Sequence, residues 1–471
     1  MPRPAPSAFP LTRLVRSSLP LQEQLYARIR SAIAKGQLRP GEKLPSARTM
    51  ASALGVARGT VDMAFMRLAG EGYLLARGPA GTIVSPALSI DRPVARTVPA
   101  RISESVEAAS DARPFQMGLP ALDLFPRALW ARLTSRAAKQ LAGPALSYPE
   151  ILGLPELRTA IASYLAVSRG VSCSAAQIIV TGGYQSGLGL IAQALLSPGD
   201  PVWFEEPGYV FARQVLQAAS AQPVPIPVDG QGMDVEAGFG AAPQARLAVV
   251  TPAHHSALGV ALSLARRQRL LAWAASAGAW VVEDDYDGEF HYVGRKLPAL
   301  KSLDAADRVI YAGSFSKTLF PGLRLGYLVV PRQLLPRFAE TKSVTTRGEP
   351  TLGQKTVADF IVEGHFGRHL KRMRGLYAQR REALATALRE VFGERLSMTV
   401  EPGGMHLLAR FAGAASDVEL VRRAARHGLS PTALSTQYLG RSRDSGLLLG
   451  FTNVVEERAP ALARTLARAI G

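Results

Sequence analysis

Residues 281–290 read VVEDDYDGEF and residues 311–331 read YAGSFSKTLFPGLRLGYLVVP, and these two stretches decide the fold. In each, a short apolar run passes straight into a polar cluster. Ala279-Trp280-Val281-Val282 leads into Glu283-Asp284-Asp285-Tyr286, and Val309-Ile310-Tyr311 leads into Gly313-Ser314-Phe315-Ser316-Lys317. Similar runs occur at Ile178-Ile179-Val180, Pro201-Val202-Trp203-Phe204, Leu247-Ala248-Val249-Val250 and Leu325-Gly326-Tyr327-Leu328-Val329-Val330, with helical patterns between them. Short, wholly apolar strands alternating with helices predict an α/β fold, a largely parallel sheet covered on both faces. Chemistry in such a sheet sits just beyond the carboxyl ends of the strands, where these polar clusters fall.

Asp284 and Lys317 are 33 residues apart, about one strand-helix-strand unit, so both can reach one crevice. A lysine desolvated there can lose its proton and form a Schiff base with an aldehyde. A carboxylate opposite can keep a pyridine nitrogen protonated, which is the usual partner of pyridoxal phosphate. Ser314, Ser316 and Arg324 offer hydroxyls and a fork-shaped cation to a phosphate. Thr181-Gly182-Gly183-Tyr184-Gln185, after a strand and opening a helix, offers backbone N–H groups to the same anion. Each signal is weak alone, and their order and spacing carry the reading.

The 471 residues carry a net charge of +18, from 55 Lys+Arg against 37 Asp+Glu, which favours a polyanionic partner. That excess is densest in residues 1–85, with twelve basic residues against four acidic. A single cysteine, Cys173, excludes an internal disulfide framework and a cysteine-built zinc site and fits a reducing cytosol. Neither a signal peptide nor an apolar run of about 18 residues is present, so a cytoplasmic protein is expected. Leu21, Leu25, Ile29 and Ile33 form one stripe of a helix ending near Gly36. A second helix begins at Leu44-Pro45-Ser46 and breaks at Gly55, and a third starts at Arg58 with Val61, Phe65 and Leu68 inward. Two helices around a short glycine turn make a helix-turn-helix. Strand-like runs flanking Gly78-Pro79-Ala80 add a basic hairpin, a wing. Residues 86–112, with Pro86, Pro93 and Pro99, read as an exposed linker to a body spanning 113–471.

Two resemblances extend this reading. The run LRPGEKLPSARTMASALGVARGTVDMAFMRLAGEGYLLARGPAGTIV, residues 38–84, resembles the winged helix-turn-helix of GntR-type regulators. It implies that Arg48, Arg58 and Thr60 contact double-stranded DNA and that Arg77 and Gly81 of the wing lie near phosphate or the minor groove. One departure is Ala57, where the family commonly has a serine able to cap the recognition helix. SYPEILGLPELRTAIASYL (147–165), TGGYQSGLGLIAQALLSPGDPVWFEEPGY (181–209) and the two opening stretches resemble the fold type I aminotransferase domain. That implies a PLP-dependent transferase fold with a smaller C-terminal subdomain. Lys317 would then carry pyridoxal 5′-phosphate as a Schiff base, Asp284 face the pyridine nitrogen, Tyr286 bond the ring hydroxyl and Tyr209 stack on the ring. Gly183, Tyr184, Gln185, Ser314, Ser316 and Arg324 would hold the phosphate, and Tyr148 would reach it across a dimer interface.

Where relatives read His-Gln-Phe-Pro-Thr-Gly, this chain has His254-His255-Ser256-Ala257-Leu258-Gly259, and His255 is the candidate contact beside the ring hydroxyl. Aminotransferases grip a substrate carboxylate with an arginine on a strand near the C-terminus, but Leu447-Leu448-Leu449-Gly450-Phe451 has none, leaving Arg410, Arg441 or Arg443 to substitute. Together the two parts resemble MocR/GabR-type regulators. The resemblance implies a transcription factor in which Lys317 senses an amine, an amino acid or the cofactor itself, forms a head-to-tail homodimer, and has at most residual transaminase activity. The alternatives are an active aminotransferase carrying a DNA-binding domain, and a body that serves as a dimerisation scaffold with no cofactor.

Overall fold

The computed structural model describes residues 19–88, 112–141, 146–294, 298–413, 415–440 and 444–471. Most of the expected linker, residues 89–111, lies outside them, as do Arg441 and Arg443. Chain contacts divide the molecule into two compact units, Met1–Ala108 and Ala109–Gly471, a division that falls inside the 86–112 stretch. Among the described residues no helix is long and apolar enough to cross a membrane.

The first unit packs α1 (Leu21–Ala34), α2 (Ala47–Leu54) and α3 (Arg58–Gly70) against a hairpin of β1 (Leu74–Ala76) and β2 (Thr82–Val84). Leu25, Ile29, Met50, Leu54, Val61, Leu68 and Val84 meet in its core, nearly or wholly excluded from water. The Ser46 hydroxyl accepts from Thr49 N at 3.1 Å and so caps α2, while Gly55 ends it in the left-handed conformation (φ 68°) that glycine adopts without strain. Ala57 gives α3 no side-chain cap, and the first N–H groups of that helix stay open to a ligand or water. A latch ties α1 to α3. Tyr26 donates to Glu71 at 2.6 Å, and Arg67 lies 4.1 Å over the Tyr26 ring while bonding Glu23 and Glu71.

The second unit is built on eight strands in the order β3-β10-β9-β8-β7-β4-β5-β6. These are β3 (Ile178–Thr181), β4 (Pro201–Glu206), β5 (Gln222–Asp229), β6 (Gly232–Met233), β7 (Leu247–Val250), β8 (Trp280–Asp285), β9 (Val309–Ser314) and β10 (Gly326–Val329). From β9 to β5 every pairing is parallel, and β10 runs antiparallel between β3 and β9. The six apolar runs read from sequence are all strands, and β5, QPVPIPVD, is a further strand whose prolines argue against one. Pro223, Pro225 and Pro227 alternate, so their missing N–H groups fall on the edge away from β4. A smaller antiparallel sheet follows, in the order β11-β12-β14-β13: β11 (Leu396–Thr399), β12 (His406–Phe411), β13 (Thr432–Ala433) and β14 (Leu447–Gly450).

The chain enters this body through residues 112–121, which are pinned along their length. Gly450 N donates to Phe115 O at 2.9 Å, the Thr452 hydroxyl donates to Leu119 O at 2.5 Å, and Ala121 N donates to the Tyr377 hydroxyl at 2.9 Å. Strand β8 carries its acids in alternation. Asp285 turns away from the site to Arg169, 2.5 Å distant with both side chains wholly buried, and to the Tyr311 hydroxyl. Glu283, on the same side, accepts the N–H groups of Leu300 and Lys301 at 2.7 Å each. The Arg169→Met variant leaves Asp285 uncompensated and should lose about 3–5 kcal/mol. Thermal unfolding followed by tryptophan fluorescence should show this loss, and Arg169→Met with Asp285→Leu should recover most of it.

Candidate functional site

The parallel strands β4, β7, β8 and β9 end on one edge of the sheet, and a cavity of about 250 Å³ opens there. Lys317, Asp284, Tyr286, Tyr209, Tyr184, Gln185, Ser314, Ser316 and Arg324 all line it. Residues from four separate segments therefore meet, and Asp284 and Lys317 share the crevice that their spacing suggested. Lys317 sits on the short helix Phe315–Thr318 directly after β9, and its Nζ donates to Gly118 O at 2.8 Å. A Cβ on Gly118 would stand 2.2 Å from that Nζ, so a glycine is needed there for the backbone to approach the amine. Burial pulls the Lys317 amine below the ordinary lysine range, against the opposing pull of Asp284 and Asp287.

Asp284 is the member of the β8 acids that faces the cavity. Its neighbours have partners, Arg169 for Asp285 and His254 for Asp287, while among the described residues no cation is within bonding distance of Asp284. Burial holds its carboxyl well above the usual carboxylate range, and the adjacent Tyr184 hydroxyl works in the other direction. A buried acid without a bonded cation is costly unless something in the cavity supplies a positive hydrogen-bond donor. At the other end stand the donors for an anion. The helix Tyr184–Leu195 starts at Gly183 (φ 104°) without a side-chain cap, leaving its first N–H groups available. Arg324 packs beside Gly183, its guanidinium 3.5 Å from where a Cβ would be, and Ser314 and Ser316 complete the cradle. Arg324 itself adopts a left-handed backbone (φ 49°), a strain of about 1–3 kcal/mol of the kind that concentrates at functional sites. An acid for a protonated ring nitrogen, an enclosed amine and an anion cradle thus fit one pyridoxal phosphate.

His255 is a correction. It lies behind the cavity, where its Nδ1 accepts from Ala257 N and Leu258 N at 3.3 and 3.0 Å and its Nε2 is 3.6 Å from buried Glu205. Burial pushes its imidazole down to about 3 and Glu205 up to about 7, so the ring is a neutral brace for the loop. The neighbouring His254 takes the expected place, its Nδ1 2.9 Å from the Tyr286 hydroxyl. His406 of β12 stacks edge-on to His254 at 5.3 Å and faces the cavity. Sequence reasoning missed His254, His406 and Gly118, the last two because only the fold brings them near. Tyr148 is 78 % exposed, with Arg347 over its ring at 4.9 Å, outside the single-chain cavity. Arg410 is held by Asp444.

In the first unit Arg48, Arg58 and Arg77 are exposed, and Arg58 pairs loosely with Asp62 at 3.4 Å. The wing needs Gly81, whose φ is 96° and whose Cβ would meet Lys43 at 2.8 Å. Lys43, which precedes α2 and bridges to Ile83 of β2, is a cation beside the wing that the sequence reading did not single out.

Two family models match the chain: bacterial regulatory proteins of the gntR family over residues 21–84, and aminotransferase class I and II over residues 122–438. The probable rhizopine catabolism regulatory protein MocR of Rhizobium meliloti is 38 % identical, covering 93 % of this chain and 91 % of its own. The chain belongs to the MocR-type transcriptional regulators. The pyridoxine biosynthesis transcriptional regulator PdxR of Corynebacterium glutamicum is 33 % identical to this MocR-type chain, over 91 % of each. Pyrococcus horikoshii kynurenine aminotransferase, solved in complex with PMP, superposes with a TM-score of 0.70 at 29 % identity, covering 77 % of this chain and 91 % of its own. The regulator is therefore a helix-turn-helix protein whose body has the α/β fold of a PLP-dependent family.

The lowered Lys317 amine makes a pH prediction for the cofactor-free protein. Its folded value lies below its unfolded one, so between the two the unfolded chain binds more protons and stability rises with pH. Lys317→Met should stabilise the cofactor-free protein at neutral pH, and the gain should shrink as pH climbs toward the ordinary lysine range. Thermal melts at about pH 7 and about pH 10 measure both.

Proposed function

We propose that this MocR-type regulator holds pyridoxal 5′-phosphate at Lys317 and couples the state of that site to promoter binding. The observation that carries the reading is the meeting of Lys317, Asp284 without a bonded cation among the described residues, and the Arg324 cradle in one cavity. Bound there, the cofactor supplies an aldehyde that condenses reversibly with primary amines. Asp284 would hold a proton on the ring nitrogen, Tyr286 with His254 behind it would orient the ring hydroxyl, and Tyr209 would cover the ring face. Gly183, Tyr184, Gln185, Ser314, Ser316 and Arg324 would fix the phosphate. The effector is an amine, an amino acid or the cofactor itself, and it shifts DNA binding only by its differential affinity for two states of the body.

The exposed Tyr148 supports a head-to-tail homodimer in which it completes the partner's phosphate site. The protein would work in the cytoplasm, each winged unit meeting one half-site. Arg48, Arg58, Thr60, Arg77 and Gly81 are the proposed DNA contacts, and Lys43 joins them beside the wing.

Adding pyridoxal phosphate should produce a visible absorption band in the parent protein and none in Lys317→Ala. Absence of a band in the parent would refute the cofactor reading. Arg58→Ala should lower preference for the target promoter over random duplex by about tenfold or more, since a good arginine-to-base contact discriminates by about 1–3 kcal/mol. Unchanged discrimination in fluorescence anisotropy titrations would remove Arg58 from base reading.

A further inference from the structure

An α-amino acid that reaches Lys317 brings its carboxylate within about two bonds of the reacting nitrogen. A carboxylate taken out of water needs a cation or a set of aimed donors, preferably a two-pronged arginine. Among the described residues that line the cavity, the basic groups are already committed. Arg324 stands beside Gly183 at the phosphate end, and Lys317 is the reacting amine. Arg410 of β12 gives its Nε to Asp444 at 3.1 and 3.2 Å and its Nη2 at 2.5 Å. His406 faces the cavity, but burial and His254 push it down to about 3, so it carries no charge there.

What stands in place of a cation is apolar. Met117 of the entry segment and Met405 next to β12 line the cavity, as do Phe211 and Pro321 from other segments; Ser256 also lines it and carries no charge. Behind Met117, Leu448 of β14 lies opposite Leu408 of β12, and both are buried with Ala257 and Leu434. Leu408 is two residues from His406 and so shares its face of the strand, which puts Leu448 one cross-strand pair from the cavity lining. This is the strand on which the resemblance placed a carboxylate-gripping arginine. Its place is taken by a leucine sealed into an apolar cluster.

We propose that the effector is a primary amine with no carboxylate next to its nitrogen, and that the Leu448 cluster discriminates against amino acids. The inference rests on the cofactor reading above and narrows it. Discrimination comes from desolvation: the amine leaves no charge stranded, whereas the amino acid must bury a carboxylate against Met117 and the leucines.

Matched pairs test it on the full-length protein loaded with pyridoxal phosphate: leucine against isoamylamine, and phenylalanine against phenethylamine. Each is titrated twice, once by the visible absorption of the bound cofactor and once by promoter affinity. The amine of each pair should half-saturate at a concentration at least tenfold lower than its amino acid. Leu448→Arg should shift that ratio at least tenfold toward the amino acid, and Leu448→Gln, polar but uncharged, should not. Equal or tighter binding of the amino acids to the parent protein, or no response to any of the four, overturns the inference while the Lys317-dependent band still supports the cofactor. Absence of the band in the parent overturns both.

Discussion

Strand β8 must carry three consecutive acids into the interior of a sheet, and much of the body is arranged around the different fates of these side chains. Two of them turn to one side and are met by the protein itself, Asp285 by a buried guanidinium and Glu283 by two backbone N–H groups. The third, Asp284, turns to the other side and is left for whatever enters the cavity. Strand alternation makes this division. It places an acid with no bonded cation at the floor of the site.

The basic excess of the chain is likewise divided by what surrounds it. On the winged unit, arginines such as Arg48 and Arg77 stand in water, where their charge is open to a polyanion. Not every basic residue there is available. Arg67 is engaged by two glutamates and a tyrosine ring, and it stiffens the unit rather than extending its reach. In the body, buried cations such as Arg169 and Arg380 are consumed by internal partners.

Local chemistry was legible in the sequence wherever a single segment carried it. The helix-turn-helix, its wing and six strands follow from periodicity and glycine placement, because each is decided within a few residues. The lysine, the aspartate and the phosphate cradle could be set in one crevice because strand-helix-strand spacing is itself regular. Strand β5 was hidden because its prolines are tolerated only by its position in the sheet, which no local pattern states. The choice between His254 and His255 turned on which ring the loop would consume as a hydrogen-bond acceptor, a matter of backbone path. His406 and Gly118 lie hundreds of residues apart along the chain, and nothing near either one signals a site.

The bond from Lys317 Nζ to Gly118 O makes the buried amine a fastener. Gly118 belongs to the stretch by which the chain enters the body, stitched on either side at Phe115 and Leu119. Whatever claims the lysine nitrogen competes with that carbonyl for it. Loss of that bond would leave the entry segment held at Phe115 and Leu119 but free between them.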